Sequence, residues 1–139
     1  MRKIVILLSL CIASSFATRF LFGVEVKCSL DKVFQFTVSH LEDDKTGCSV
    51  TCVFDDDDVI AAPRTLTARK SLFFYQDGAD SGDASDSYEP FALFEHNCTS
   101  NGEMLKYRHT LHKSPTSHGL EYFEYSVDLL DKSGTGYEK

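Results

Sequence analysis

The stretch Phe20-Leu21-Phe22-Gly23-Val24-Glu25-Val26-Lys27-Cys28 decides the fold class. Phe20, Phe22, Val24, Val26 and Cys28 alternate with Leu21, Gly23, Glu25 and Lys27, and a period of two over this length reads as a strand with one buried face. The same logic places Phe34, Phe36 and Val38 on the inner face of a strand over residues 33–41, with Gln35, Thr37 and Ser39 outward. Further runs follow at residues 48–54, 64–68, 71–76, 91–98, 104–112 and 121–130; in the last, Phe123, Tyr125, Val127 and Leu129 form the apolar face. No segment carries an apolar stripe at helical spacing, although Asp80 to Tyr88 could hold a short helix. About eight strands separated by turn chemistry predict an antiparallel β-sandwich.

The chain has 139 residues, enough for one domain, and its 42% apolar content is enough for a core. Arg2 and Lys3 precede the apolar run Ile4 to Ala13, and Ser15-Phe16-Ala17 supplies small residues at a cleavage point. These are the parts of a secretory signal, so residues 1–17 are expected to be a signal peptide and residues 18–139 the folded domain. No later stretch is apolar enough to span a bilayer, which needs about 20 such residues, and stable membrane insertion is not expected. Removing residues 1–17 takes two basic residues and no acidic one, which moves the formal charge from −7 to −9. An acidic domain is a poor partner for nucleic acid or anionic lipid, because both demand a basic footprint.

Removal of Cys11 leaves Cys28, Cys48, Cys52 and Cys98. In an oxidising compartment four thiols suggest two bridges, with three connectivities that the sequence does not choose between. The Cys48 to Cys52 spacing has no second Cys/His pair to complete a zinc site. Acidic clusters at Glu42 to Asp44, Asp55 to Asp58 and Asp77 to Asp86 lie between strands, and Asp77 to Asp83 reads as the least ordered piece. They lack the spacing of an EF-hand loop and read as solvated turns, so no metal or other cofactor is expected. From Lys106 to Lys113, strand geometry sets Lys106, Arg108, Thr110 and His112 on a basic outer strip, with His109 as a core histidine on the apolar side. No Ser, Cys or paired carboxylate stands near His109 at a spacing that suggests a triad, so no catalytic residue is assigned. Asn97-Cys98-Thr99 is an N-glycosylation acceptor pattern at Asn97.

The segment Glu89-Pro90-Phe91-Ala92-Leu93-Phe94-Glu95-His96-Asn97-Cys98 resembles the Glu-Pro-aromatic-x-x-x-x-His-x-Cys signature of the nematode transthyretin-like proteins. The strand closing in Val26-Lys27-Cys28, the Asp55 to Asp58 turn and the Phe73-Phe74-Tyr75-Gln76-Asp77-Gly78 run are similar to features of that family. The resemblance implies a transthyretin-like β-sandwich of immunoglobulin-like, prealbumin type with about 7–8 strands. It departs at Ser29 to Lys32, where the family has a Gly-Lys-Pro turn, and in Cys48 and Cys52, which fall in an insertion. On one straight strand Cys48 and Cys52 would stand about 13 Å apart, against the roughly 7 Å a bridge allows. Either that segment bends to close a local bridge or each Cys pairs elsewhere; the pairing expected is Cys28 with Cys98 and Cys48 with Cys52.

By the same resemblance the chain is expected to be a secreted, non-catalytic extracellular binding or signalling module whose partner is an extracellular protein or cell surface. Two alternatives come with it. One is a carrier of a small hydrophobic ligand, using some of the eleven Phe and six Tyr. The other is a hydroxyisourate-hydrolase-like enzyme, which the C-terminus Gly134 to Lys139 disfavours because it lacks the Tyr-Arg-Gly-Ser close.

Overall fold

The computed structural model describes residues 17–43, 58–80, 87–112, 114–115 and 119–137. Ten strands run in chain order: β1 (Thr18–Lys27), β2 (Val33–Glu42), β3 (Val59–Arg69), β4 (Ser71–Asp80), β5 (Ser87–Tyr88), β6 (Pro90–His96), β7 (Leu105–Thr110), β8 (Ser114–Pro115), β9 (Leu120–Asp128) and β10 (Gly134–Tyr137). Eight pair in the order β10-β7-β6-β2-β3-β4-β1-β9, and β5 pairs with β8 in a small second sheet. Between β3 and β4 the only paired residues are Arg69 and Ser71, on either side of Lys70 at φ 69°. The large sheet is therefore folded over at that hairpin. One layer holds β3, β2, β6, β7 and β10, the other β4, β1 and β9, and the result is an all-β sandwich dominated by antiparallel pairs.

Alternation explains what lies between the layers. Phe20, Phe22, Val24 and Val26 of β1 are at most 1% exposed, as are Phe34, Phe36 and Val38 of β2. From β9, Phe123, Tyr125 and Val127 enter the same core, and from β6, Ala92 and Phe94. Each buried Phe side chain contributes roughly 1.5–3 kcal/mol of transfer free energy, so this face of each strand fixes its register.

Several elements differ from the sequence reading. β3 starts at Val59 rather than Arg64, because Pro63 interrupts the pattern without ending the strand. Val38 pairs with Arg64 but His40 pairs with Ala61, so Ala62 and Pro63 oppose Ser39 in a bulge, where a residue without an N–H fits. β4 continues to Asp80, and Asp77 to Asp80 are paired with Leu21 to Thr18 of β1 instead of forming the start of a loose loop. Asp80 and Ser87–Tyr88 are strand residues, so the short helix expected over 80–88 has no strand-free ends; residues 81–86 lie outside the described residues. β5, β8 and β10 were not expected. β10 is held by parallel pairing of Gly134 to Tyr137 with Tyr107 to Thr110. The 1–17 signal reading, apart from Ala17, and the 48–54 strand also fall outside the described residues.

Candidate functional site

The residues singled out in the sequence serve the architecture. Cys28, at the end of β1, is bonded to Cys98, just after β6, with Cα atoms 5.9 Å apart, and this bond ties the two layers together. Cys48 and Cys52 lie outside the described residues. Asn97 is half-buried and extends the β2–β6 pairing: its Oδ1 accepts from the Gln35 amide at 2.7 Å, and its own amide donates to the Gln35 carbonyl at 3.1 Å. Thr99 is buried and its hydroxyl donates to the Glu103 carbonyl at 2.9 Å. His96 is fully buried and its Nε2 lies 2.9 Å from the Lys132 carbonyl, to which it donates. The motif from Glu89 to Cys98 is thus a central strand and its exit turn.

The other histidines of the core are sealed between the layers. His40 stacks on Phe22 with ring centroids 3.7 Å apart, and its Nε2 shares a 2.8 Å hydrogen bond with the Tyr125 hydroxyl. Burial holds its imidazolium down to about 3, against a weaker opposing contribution from the Gln76 side chain. His109 is buried and stacks on Tyr125. On the outer strip of β7 the cations are already matched. Lys106 pairs with Glu95 at 2.8 Å, and Arg108 pairs with Asp43 at 2.5 Å while its guanidinium lies 3.6 Å from the Phe91 ring centroid.

The outer face of β4, β1 and β9 is different. Strand register sets nine positions in three rows there: Asp77, Leu21 and Tyr122; Tyr75, Gly23 and Glu124; Phe73, Glu25 and Ser126. Gly23 is the centre. It is buried beneath its neighbours: a Cβ built on it would meet Tyr122 Oη at 3.0 Å, Tyr75 Cε1 at 3.2 Å and Phe73 Cζ at 3.4 Å. The three rings lean over the glycine yet remain 48% (Phe73), 53% (Tyr75) and 48% (Tyr122) exposed. Phe73 and Tyr75 meet edge to face at 5.0 Å. Covering a strand glycine needs one aromatic neighbour, and three half-exposed rings go beyond that need.

The electrostatics of this face are acidic. The Tyr122 hydroxyl donates to Glu124. That bond first, then desolvation and the charge of Glu124, push the Tyr122 phenol up to about 12. Glu25 is held below the usual carboxylate range by Lys27, which it meets at 2.9 Å, and then by Ser126. Among the described residues neither Asp77 nor Glu124 enters an ion pair. The corresponding outer face of the other layer offers Thr65, Thr37, Glu95 and Lys106 in register, and its Phe91 is buried under Arg108 rather than exposed. Sequence reading missed the aromatic face, although the signal was there: consecutive aromatics in a strand, Phe73-Phe74-Tyr75 and Tyr122-Phe123, must send one ring to each side.

Comparison with known proteins gives one informative match. The chain is 50% identical over 111 residues to Protein lin-61 of Caenorhabditis elegans. The match covers 80% of this chain but 17% of lin-61, so the chain spans about a sixth of that relative's length. No family model matches the chain. An alternative pilotin from the type II secretion system of Vibrio cholerae aligns over 81% of this chain and 96% of its own at TM-score 0.38 and 13% identity, which is too loose to carry an argument.

The lin-61 match corrects three expectations: that the chain is a secreted extracellular binding or signalling module, that its partner is an extracellular protein or cell surface, and that it is exported. Those rested on a basic-then-apolar N-terminal composition and on a family resemblance carried mainly by the Glu89 to Cys98 motif. Half-identity over 111 residues outweighs both. The motif residues themselves are accounted for by the packing of β6 and the Cys28–Cys98 bond.

Proposed function

We propose that this chain carries a protein-interaction domain of the kind found in lin-61-like proteins, with no catalytic role of its own, and that it binds through the outer face of β4, β1 and β9. One observation carries the reading: Phe73, Tyr75 and Tyr122 are gathered, half-exposed, around Gly23 on a surface that folding does not need to be aromatic. Aromatic side chains supply large contact area at low cost in conformational entropy and are enriched where proteins meet. The 50% identity to lin-61 supports the setting, a module within a larger protein. The buried histidines support a non-catalytic role. His40 and His96 are both held below the usual imidazole range mainly by burial, where they would serve packing rather than proton transfer.

A chimera tests this. The aligned segment of lin-61 is replaced by this chain in worms lacking lin-61 function. Rescue is expected from the native chain, and loss of rescue from the Phe73→Ala/Tyr75→Ala/Tyr122→Ala chain produced at the same level. Equal rescue by both would remove the aromatic face from the function, and no rescue by the native chain would remove the lin-61 setting.

A further inference from the structure

We infer that a second copy of this chain adds to the open edge of β9. The two β9 strands run antiparallel about a twofold axis between their Phe123 residues, so that β4, β1 and β9 of both copies form one continuous sheet. Unlike the binding role proposed above, this contact needs no outside partner.

The edge is a row of backbone groups. β9 pairs with β1 on one side, and among the described residues no strand pairs with its other side. At the two ends of that pairing the Arg19 amide donates to the Gly119 carbonyl at 2.8 Å and the Leu129 amide to the Lys27 carbonyl at 2.9 Å, so the odd-numbered residues here face β1. Backbone direction alternates along a strand, and Leu120, Tyr122, Glu124, Ser126 and Asp128 therefore turn their N–H and C=O groups to the edge. Sheets guard such edges by shortness, proline, lysine or a bulge. β10, at the opposite end of the order, is four residues long and two of them are glycine. β9 lacks all of these guards: its nine residues include no proline, glycine, lysine or arginine, and they match Arg19 to Lys27 of β1 one for one without a shift. Leu120 and Tyr122 stand exposed on it.

The occupant follows from which residues would meet. Two such edges bond only where even-numbered residues oppose even-numbered ones, because both must present backbone groups to the same gap. Centring on Glu124 would set that carboxylate against its own copy, which is destabilising. Centring on Phe123 instead sets Tyr122 opposite Glu124 of the second copy and Leu120 opposite Ser126, with no like charges in opposition. The Tyr122 phenol already donates to Glu124 of its own strand, and the second copy offers the same carboxylate across the gap. A contact of this kind uses the same patch on both copies and stops at a dimer. Its axis runs through the sheet, which places the two aromatic faces around Gly23 side by side. Each copy carries a formal charge of −7, so long-range repulsion opposes the pair and added salt should strengthen it.

Sedimentation velocity of the full chain over a concentration series should show monomer giving way to dimer, with more dimer as salt is added. In amide exchange followed residue by residue, Tyr122, Glu124 and Ser126 should exchange at least about 10-fold more slowly in the dimer than after dilution to monomer, while Phe123, whose amide faces β1, should be protected in both. An isotope-filtered Overhauser contact between the α-protons of Glu121 and Tyr125 on different copies should report the register. Glu124→Pro removes an N–H that β1 does not use; circular dichroism should show it folded, and its dimer should be about 10-fold weaker or more. A chain that stays monomeric at every concentration would overturn the inference. So would a dimer in which Tyr122, Glu124 and Ser126 exchange as in the monomer, one without the Glu121–Tyr125 contact, or a folded Glu124→Pro chain that pairs as strongly as the native one.

Discussion

At the scale of single residues, His40 and Tyr122 show opposite consequences of environment. His40 is fully buried between Phe22 and Tyr125, and its folded-state pKa of about 3 lies below the unfolded value of 6.5. The unfolded chain therefore binds the extra proton first. The stability His40 permits is present above pH 6.5 and is lost as pH falls toward 3, by about 3 kcal/mol at pH 4. His96 is shifted in the same direction by burial and adds to the trend. Urea unfolding at pH 7 and pH 4 checks this, with a marked drop in midpoint at the lower pH, and His40→Gln should flatten the dependence. Tyr122 is on the surface, and its shift to about 12 comes first from the bond to Glu124. In ultraviolet pH titration one tyrosine should ionise near 12, and Glu124→Gln should return it toward the ordinary tyrosine value of 10.0.

Strands supply the next scale, where two glycines of adjacent strands have different reasons to be glycine. Gly78 of β4 lies so close to β3 that an added Cβ would stand 2.1 Å from the Ile60 carbonyl oxygen. Backbone cannot step aside as a side chain can, so Gly78→Ala should cost about 2 kcal/mol or more. Gly23 of β1 meets only the ends of exposed rings. Those rings can swing outward, and removing the entropy of a strand glycine offsets part of the strain, so Gly23→Ala should change stability by less than about 1 kcal/mol. Thermal melts of the two variants side by side check the contrast.

Strand identity was largely legible before the structure, since the inward residues of β1, β2 and β9 follow the period-two pattern. Strand ends were less so. β4 keeps its acidic tail, Asp77 to Asp80, because β1 is long enough to pair with it, and no local pattern in β4 announces the length of β1. The candidate site was not legible, because its grid joins residues 21–25, 73–77 and 122–126 through one antiparallel and one parallel pairing.

For the molecule as a whole, the Cys28–Cys98 bond closes a separation of 70 residues between the two layers. Cys28→Ser/Cys98→Ser should lower unfolding stability by about 2–4 kcal/mol, mainly by freeing the unfolded chain. A denaturant series with and without reductant measures it, and a difference below about 1 kcal/mol would mean that the packed layers hold without the bond. The sequence by itself determined the all-β class and the inward faces of the main strands, because burial of alternate residues is a local pattern that a strand cannot evade. The tertiary structure alone decided that Phe73, Tyr75 and Tyr122 meet over Gly23 with Asp77 and Glu124 at their margin. Strand pairing, unlike alternation, depends on which distant segment supplies the missing hydrogen bonds, and nothing in the spacing of one strand states its partner.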